Sequence, residues 1–149
     1  RIEAGLHRLK PSAAAIDLFE ATPAAANAVS APSASGRVAE LREERLPILL
    51  GGDHCLAIGS IGAVAAHCRR VGRKLRVIWL DAHADFNTSE ITPSGNVHGM
   101  PVACLFGIGP PPLVEMAGFV PALQRDQLHQ IGIRSVDPGE RQLVHEQRV

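Results

Sequence analysis

The rhythm of apolar and polar positions changes near residue 46. Before it, the chain is rich in Ala, Pro and Ser (PSAAAIDLFEATPAAANAVSAPSASG), which predicts one or two weak helices and then a flexible stretch. Arg37 to Arg45 reads as a short charged helix. From Leu46 the signals sharpen. PILL (47–50) is a short apolar run stopped by Gly51-Gly52, as expected of a buried parallel strand ending in a tight turn. Cys55 to Arg70 carries apolar residues at helical spacing (Leu56, Ile58, Ile61, Val64, Ala65, Cys68), then Arg69 and Arg70, then Gly72, which is how a helix closes. LRVIWL (75–80) predicts a second buried strand. Residues 86–99 are polar and broken by Pro93, Gly95 and Gly99, so they predict a long loop. Pro101 to Leu105 starts a helix, GIGPPPL is a turn, LHQIGI (128–133) is a third strand, and Gly139 to Arg148 starts a last helix. Strand alternating with helix means an α/β fold with a mainly parallel sheet. The chain divides into a poorly defined segment, 1–46, and a domain over 47–149.

Composition narrows the function classes. With 149 residues the chain holds one domain with one core. A formal net charge of zero and a charged fraction of 20% exclude a polybasic nucleic-acid binder and a disordered acidic chain. Aromatic residues make up only 3%, so Val, Ile, Leu and Ala must fill the core. The three cysteines have no CxxC spacing, which argues against a disulfide framework or structural zinc and fits a reducing cytoplasm. No stretch reaches the roughly 18 apolar residues of a membrane span, so no membrane partner is expected.

The chemistry gathers where the strands end. LRVIWL runs into Asp81-Ala82-His83-Ala84-Asp85, and positions i, i+2 and i+4 of an extended segment share one side. Two carboxylates and an imidazole on one face would repel and desolvate badly without a cation. PILL leads into Asp53-His54 ahead of the helix, so His54 lies at the same carboxyl edge of the sheet, where ligands collect. Taken alone, Asp53 could merely cap that helix and His54 fill space.

GGDHCLAIGSI, VIWLDAHADFNT, SGNVHGMPVA and IGIRSVDPGE together resemble four ordered motifs of the arginase branch of the ureohydrolases, across about residues 47–140. The SGNVHGMPV form is closer to arginase than to agmatinase. The resemblance implies a three-layer arginase-like α/β fold, here incomplete, and Mn²⁺-dependent hydrolysis of the L-arginine guanidinium to L-ornithine and urea. It implies that His54, Asp81 and Asp85 bind the first of two Mn²⁺ ions, that His83 binds the second, and that Asp81 bridges them. Oxygen ligands with imidazole suit Mn²⁺, and two such ions about 3.5–4 Å apart lower the pKa of a bridging water to give hydroxide. His98 matches a proton shuttle, a role suited to imidazole; without the motif it would be a loop histidine. Asn87 and Ser94 match positions that receive the α-carboxylate, with Asn96 as a neighbour, and Asp137 matches one that meets the α-amino group. Outside the resemblance these small polar residues are turn formers. Glu140 matches a structural position.

The family completes its metal site with a later Asp-x-Asp pair, and a later Glu meets the guanidinium. No aspartate follows Asp137 here. The expectation is therefore a fragment or truncated frame that binds metal weakly and turns over little substrate. Its alternatives are an inactive arginase-like domain or a sister ureohydrolase such as agmatinase. A complete member is expected to be a homo-oligomer, trimer or hexamer. His7, His67, His129 and His145 sit in no ligand pattern, Cys55 reads as a small core residue, and Trp79 as core packing.

Overall fold

In a computed structural model of the chain, residues 48–50 and 52–149 are described. The weak helices expected before residue 37 and the charged helix at 37–45 lie outside them.

The first long element is helix α1, Leu56–Val71. Its apolar stripe buries Ile58, Gly62 and Ala65. Arg69 and Arg70 occupy the last turn, favourable for the helix dipole, and Gly72 closes it in the left-handed conformation at φ 68°. Strand β1, Val77–Leu80, pairs in parallel with β2, Leu128–Ile131, in the register Val77↔Leu128 to Leu80↔Ile131. Between them run a loop, the short helix α2 (Pro101–Leu105) and the short helix α3 (Pro111–Val114). Helix α4, Pro138–Gln147, follows β2.

Val77, Trp79, Leu128 and Gln130 face the helices. Trp79 and Leu128 join Ala84, Phe86, Val102 and Ala103 in the core, with Ile61 of α1 and Leu143 and Val144 of α4 packed around them. The expected parallel α/β arrangement is present, and the elements near 55–71, 101–105 and 138–147 fall within a residue or two of their predicted bounds.

Three expectations are corrected. Residues 48–50 form no strand, and Ile48 and Leu50 are exposed. An apolar run reports only that it favours burial, whereas a strand needs a neighbour to ladder with, and β1 ladders with β2. The two strands are buried on one face only: Ile78, Leu80 and Ile131 of the other face are 66%, 74% and 56% exposed, because no described element covers them. GIGPPPL is not only a turn, since Pro111 and Pro112 open α3. Proline suits a first helical turn because its missing N–H would have no intrahelical partner there.

Candidate metal centre

The site begins where β1 stops. Its ladder closes with the Asp81 N–H donating to the Ile131 carbonyl at 3.2 Å. Gly132 then turns at φ 90°, and a Cβ there would lie 3.1 Å from the Asp81 carbonyl oxygen. Only a residue without a side chain fits so close to the first ligand. Beyond Asp81 the chain stays extended far enough for His83 to bridge in parallel to Ser135, and the extended run then ends at Asp85. Asp85 adopts a left-handed conformation at φ 51°, and its carbonyl accepts from the N–H groups of Val102 and Ala103 at the start of α2.

His54 arrives from the other side, on the turn before α1. Its Nδ1 lies 3.0 Å from Asp81 Oδ2 and 2.8 Å from Asp85 Oδ2. The ligand atoms of His54, Asp81 and Asp85 all fall within 4.8 Å of one another. Asp81 Oδ1 turns the opposite way, accepting from the His83 N–H at 2.9 Å and lying 3.2 Å from His83 Nδ1. The two oxygens of one carboxylate thus face two different imidazoles. A pocket of about 270 Å³ is lined by Gly52, Asp53, His54, Asp81, His83, Asp85 and His98. The five expected metal and proton-transfer residues therefore meet at one place.

Electrostatics follow from this packing. Close contact with the Asp85 carboxylate raises the His54 pKa above the usual histidine value against the opposing effect of burial, and the charges of Asp85, Asp81 and Asp53 add to it. Burial pushes the Asp81 carboxyl up, but the His83 N–H, the charge of His54 and the His83 ring together hold it below the ordinary carboxylate value. Asp85 Oδ2 is sealed from solvent and makes no well-directed hydrogen bond, its nearest partner being His54 Nδ1. A buried carboxylate oxygen without a directed donor is costly unless a cation sits opposite. The donor set is oxygen-rich with imidazole and fits a hard to borderline divalent ion.

The expected substrate-side residues are arranged differently. Asn87 is buried and its Nδ2 donates to Asp137 Oδ2 at 2.9 Å. Asp137 caps α4 in a reciprocal capping box with Glu140, and buried Glu140 also accepts from the Phe86 N–H at 2.8 Å. The structural role expected of Glu140 is what these bonds show. Ser94 and Asn96 sit on the exposed loop, with Ser94 Oγ accepting from the Asn96 N–H at 3.2 Å, and neither lines the pocket.

Two features escaped the sequence reading. Asp53 does accept from the Cys55 N–H at 2.8 Å, as a helix-start residue would, yet it also forms a wall of the pocket. Trp79 is more than core: its indole stacks on the His54 ring, centroids 4.3 Å apart and planes 25° apart. Its place two residues before Asp81, on the same strand face, was the available signal. Cys55 is fully buried, with its thiol pushed up to about 12 by burial and by Asp53, as befits a core residue.

A sheet edge presenting clustered carboxylates and imidazoles, two of them sharing one aspartate, defines an α/β protein with a candidate metal centre. Comparison with known proteins narrows this. The chain belongs to the arginase family, whose model matches residues 6–149. It is 46% identical to the arginase of Bacillus caldovelox over 105 residues, which is 70% of this chain and 34% of that protein. It is 41% identical to the Brevibacillus brevis arginase over 128 residues, 86% of this chain and 39% of that one. Solved structures agree. The native B. caldovelox arginase at pH 5.6 superposes with a TM-score of 0.76 at 40% identity, covering 85% of this chain and 41% of that one. A cold-adapted arginase from the yeast Glaciozyma antarctica gives 0.74 at 30% identity, covering 99% and 54%. The chain spans about a third of the length of the curated relatives it matches.

Proposed function

We propose that residues 47–149 form the metal-binding portion of an arginase catalytic domain that hydrolyses L-arginine to L-ornithine and urea with two Mn²⁺ ions. The observation that carries this reading is Asp81, whose Oδ2 faces His54 and Oδ1 faces His83. That is the disposition of a carboxylate shared between two cations. In this reading His54, Asp81 and Asp85 hold one ion and His83, with Asp81, contributes to the other. When bound, such ions supply Lewis acidity and a nucleophile at neutral pH.

The remaining roles belong to the chain's own groups. His98, on the same pocket, carries a proton to the departing amine. Asn87 and Ser94, with Asn96 beside them, offer neutral donors to the α-carboxylate, and Asp137 receives the α-amino end. Neutral donors at one end and a carboxylate at the other favour a zwitterionic amino acid over a decarboxylated amine such as agmatine. The relatives are arginases, and this supports the same substrate here. Assembly as a trimer or hexamer in the cytoplasm completes the proposal; no described helix is long and apolar enough to cross a membrane.

Metal stoichiometry tests the reading. Equilibrium dialysis with Mn²⁺ should show binding that His83→Ala reduces by one ion and that Asp81→Asn weakens at both positions. Unchanged binding in Asp81→Asn would refute the shared carboxylate.

A further inference from the structure

Trp79 is the chain's one tryptophan, and there is no tyrosine. Its indole lies 96% buried on the helix-facing side of β1, among Ala84, Phe86, Val102 and Leu128, and carries the His54 imidazole flat on its face. Its Nε1–H has no hydrogen-bond partner among the described residues. Burying that N–H unpartnered is unfavourable, and an aliphatic side chain would avoid the cost. The indole is therefore not fixed by its polar end. Its face is what the site uses.

We infer that Trp79 is a positioning residue for the metal centre: the stacked indole sets the plane of the His54 ring, aiming Nδ1 at the point shared with Asp81 Oδ2 and Asp85 Oδ2. The inference rests on the metal-centre reading above and deepens it. An imidazole donates through a lone pair in its own ring plane, so whatever fixes that plane fixes the direction of the bond. His54 needs such a support because its side chain is 43% exposed and stands on a turn ahead of α1 rather than inside a regular element. Asp81 and Asp85 are held by backbone geometry, but His54 is held from the other side. The indole face is electron-rich, and an imidazole that shares its lone pair with a cation becomes electron-poor, so the stack strengthens as the ion binds. The same adjacency makes Trp79 an optical reporter of that ion.

The test uses the 149-residue chain and Mn²⁺ alone, with bound ion counted by the loss of the free Mn²⁺ resonance. Groups that orient a metal ligand change affinity by about 10–100-fold when removed. Trp79→Leu, which fills the core but offers no ring, should weaken Mn²⁺ binding by about tenfold. Trp79→Phe, which keeps an aromatic face, should stay within about threefold of the parent, well below that range. Urea midpoints of the two variants serve as the control for packing. In the parent chain, indole emission should change with the same midpoint as Mn²⁺ binding, and His54→Ala should remove that response. Equal Mn²⁺ affinity in the parent and Trp79→Leu overturns the positioning role while leaving the metal centre standing. Equal weakening in Leu and Phe, tracking an equal loss of stability, also overturns it. No Mn²⁺ binding by the folded parent overturns the metal centre and this inference together.

Discussion

Glu140 offers a demanding prediction about how the site is built. Its carboxylate is 3% exposed and joins two distant segments: Oε1 accepts from the Phe86 N–H at 2.8 Å and Oε2 from the Asp137 N–H at 3.0 Å. In Glu140→Ala both N–H groups lose their acceptor. A hydrogen bond to a charged group contributes about 1.5–3 kcal/mol, so two give about 3–6 kcal/mol. Asp137 is only half-buried, and water can replace part of the second bond, which places the expected loss near the lower end, about 3 kcal/mol. For a domain of ordinary stability, about 5–15 kcal/mol, that is a large share. Glu140→Gln keeps one oxygen but turns an NH₂ toward the other N–H, so it should lose about half as much. Urea unfolding followed by circular dichroism measures both, and an unchanged m-value would show that the same surface is exposed. If both variants unfold within about 0.5 kcal/mol of the parent, the range of an ordinary surface change, the clamp is not structural and the reasoning fails.

Other consequences are as direct. Gly132→Ala should destabilise the chain by more than 1 kcal/mol and weaken Mn²⁺ binding, since φ 90° and the Asp81 carbonyl at 3.1 Å both oppose a Cβ; thermal melting and dialysis read the two effects separately. Asn87→Ala should leave Mn²⁺ affinity within about twofold while lowering stability by about 1 kcal/mol, the worth of its bond to Asp137; a tenfold loss of affinity would place Asn87 in the metal centre instead. Cys104 is 1% exposed, and burial raises its thiol from 9.0 to about 11. The folded state then keeps a proton that the unfolded chain releases, so this stabilisation is present below about pH 9 and is lost as pH rises toward 11. Cys104→Val should flatten the fall of stability across that window, and an unaltered slope would contradict the assignment.

Much of this was legible in the residues. Two carboxylates and an imidazole on alternate positions after an apolar run, with His54 after another, mark in the sequence where the candidate centre lies. The helix at 56–71 announced its end through Arg69, Arg70 and Gly72. What stayed hidden was of a different physical kind. Alternation places Asp81, His83 and Asp85 together, but the left-handed Asp85 that ends the run and turns its carbonyl to the first N–H groups of α2 is a backbone state that no composition encodes. Apolar runs mark residues that favour burial, not the partner that buries them, so LRVIWL reads as enclosed although Ile78 and Leu80 face outward. Trp79 looked like core because it is core; its second role exists only once His54, 25 positions earlier, is laid on its face.

The left-handed turn at Asp85 ties two events that would otherwise be separate. One residue supplies a carboxylate to the candidate metal centre and, through its carbonyl, the acceptor for the first N–H groups of α2. An ion that immobilises the carboxylate also immobilises that carbonyl. The amide protons of Val102 and Ala103, buried in the core and on no ligand themselves, should then exchange with solvent more slowly as the centre fills. Cation occupancy at the rim would be recorded as rigidity at the heart of the domain.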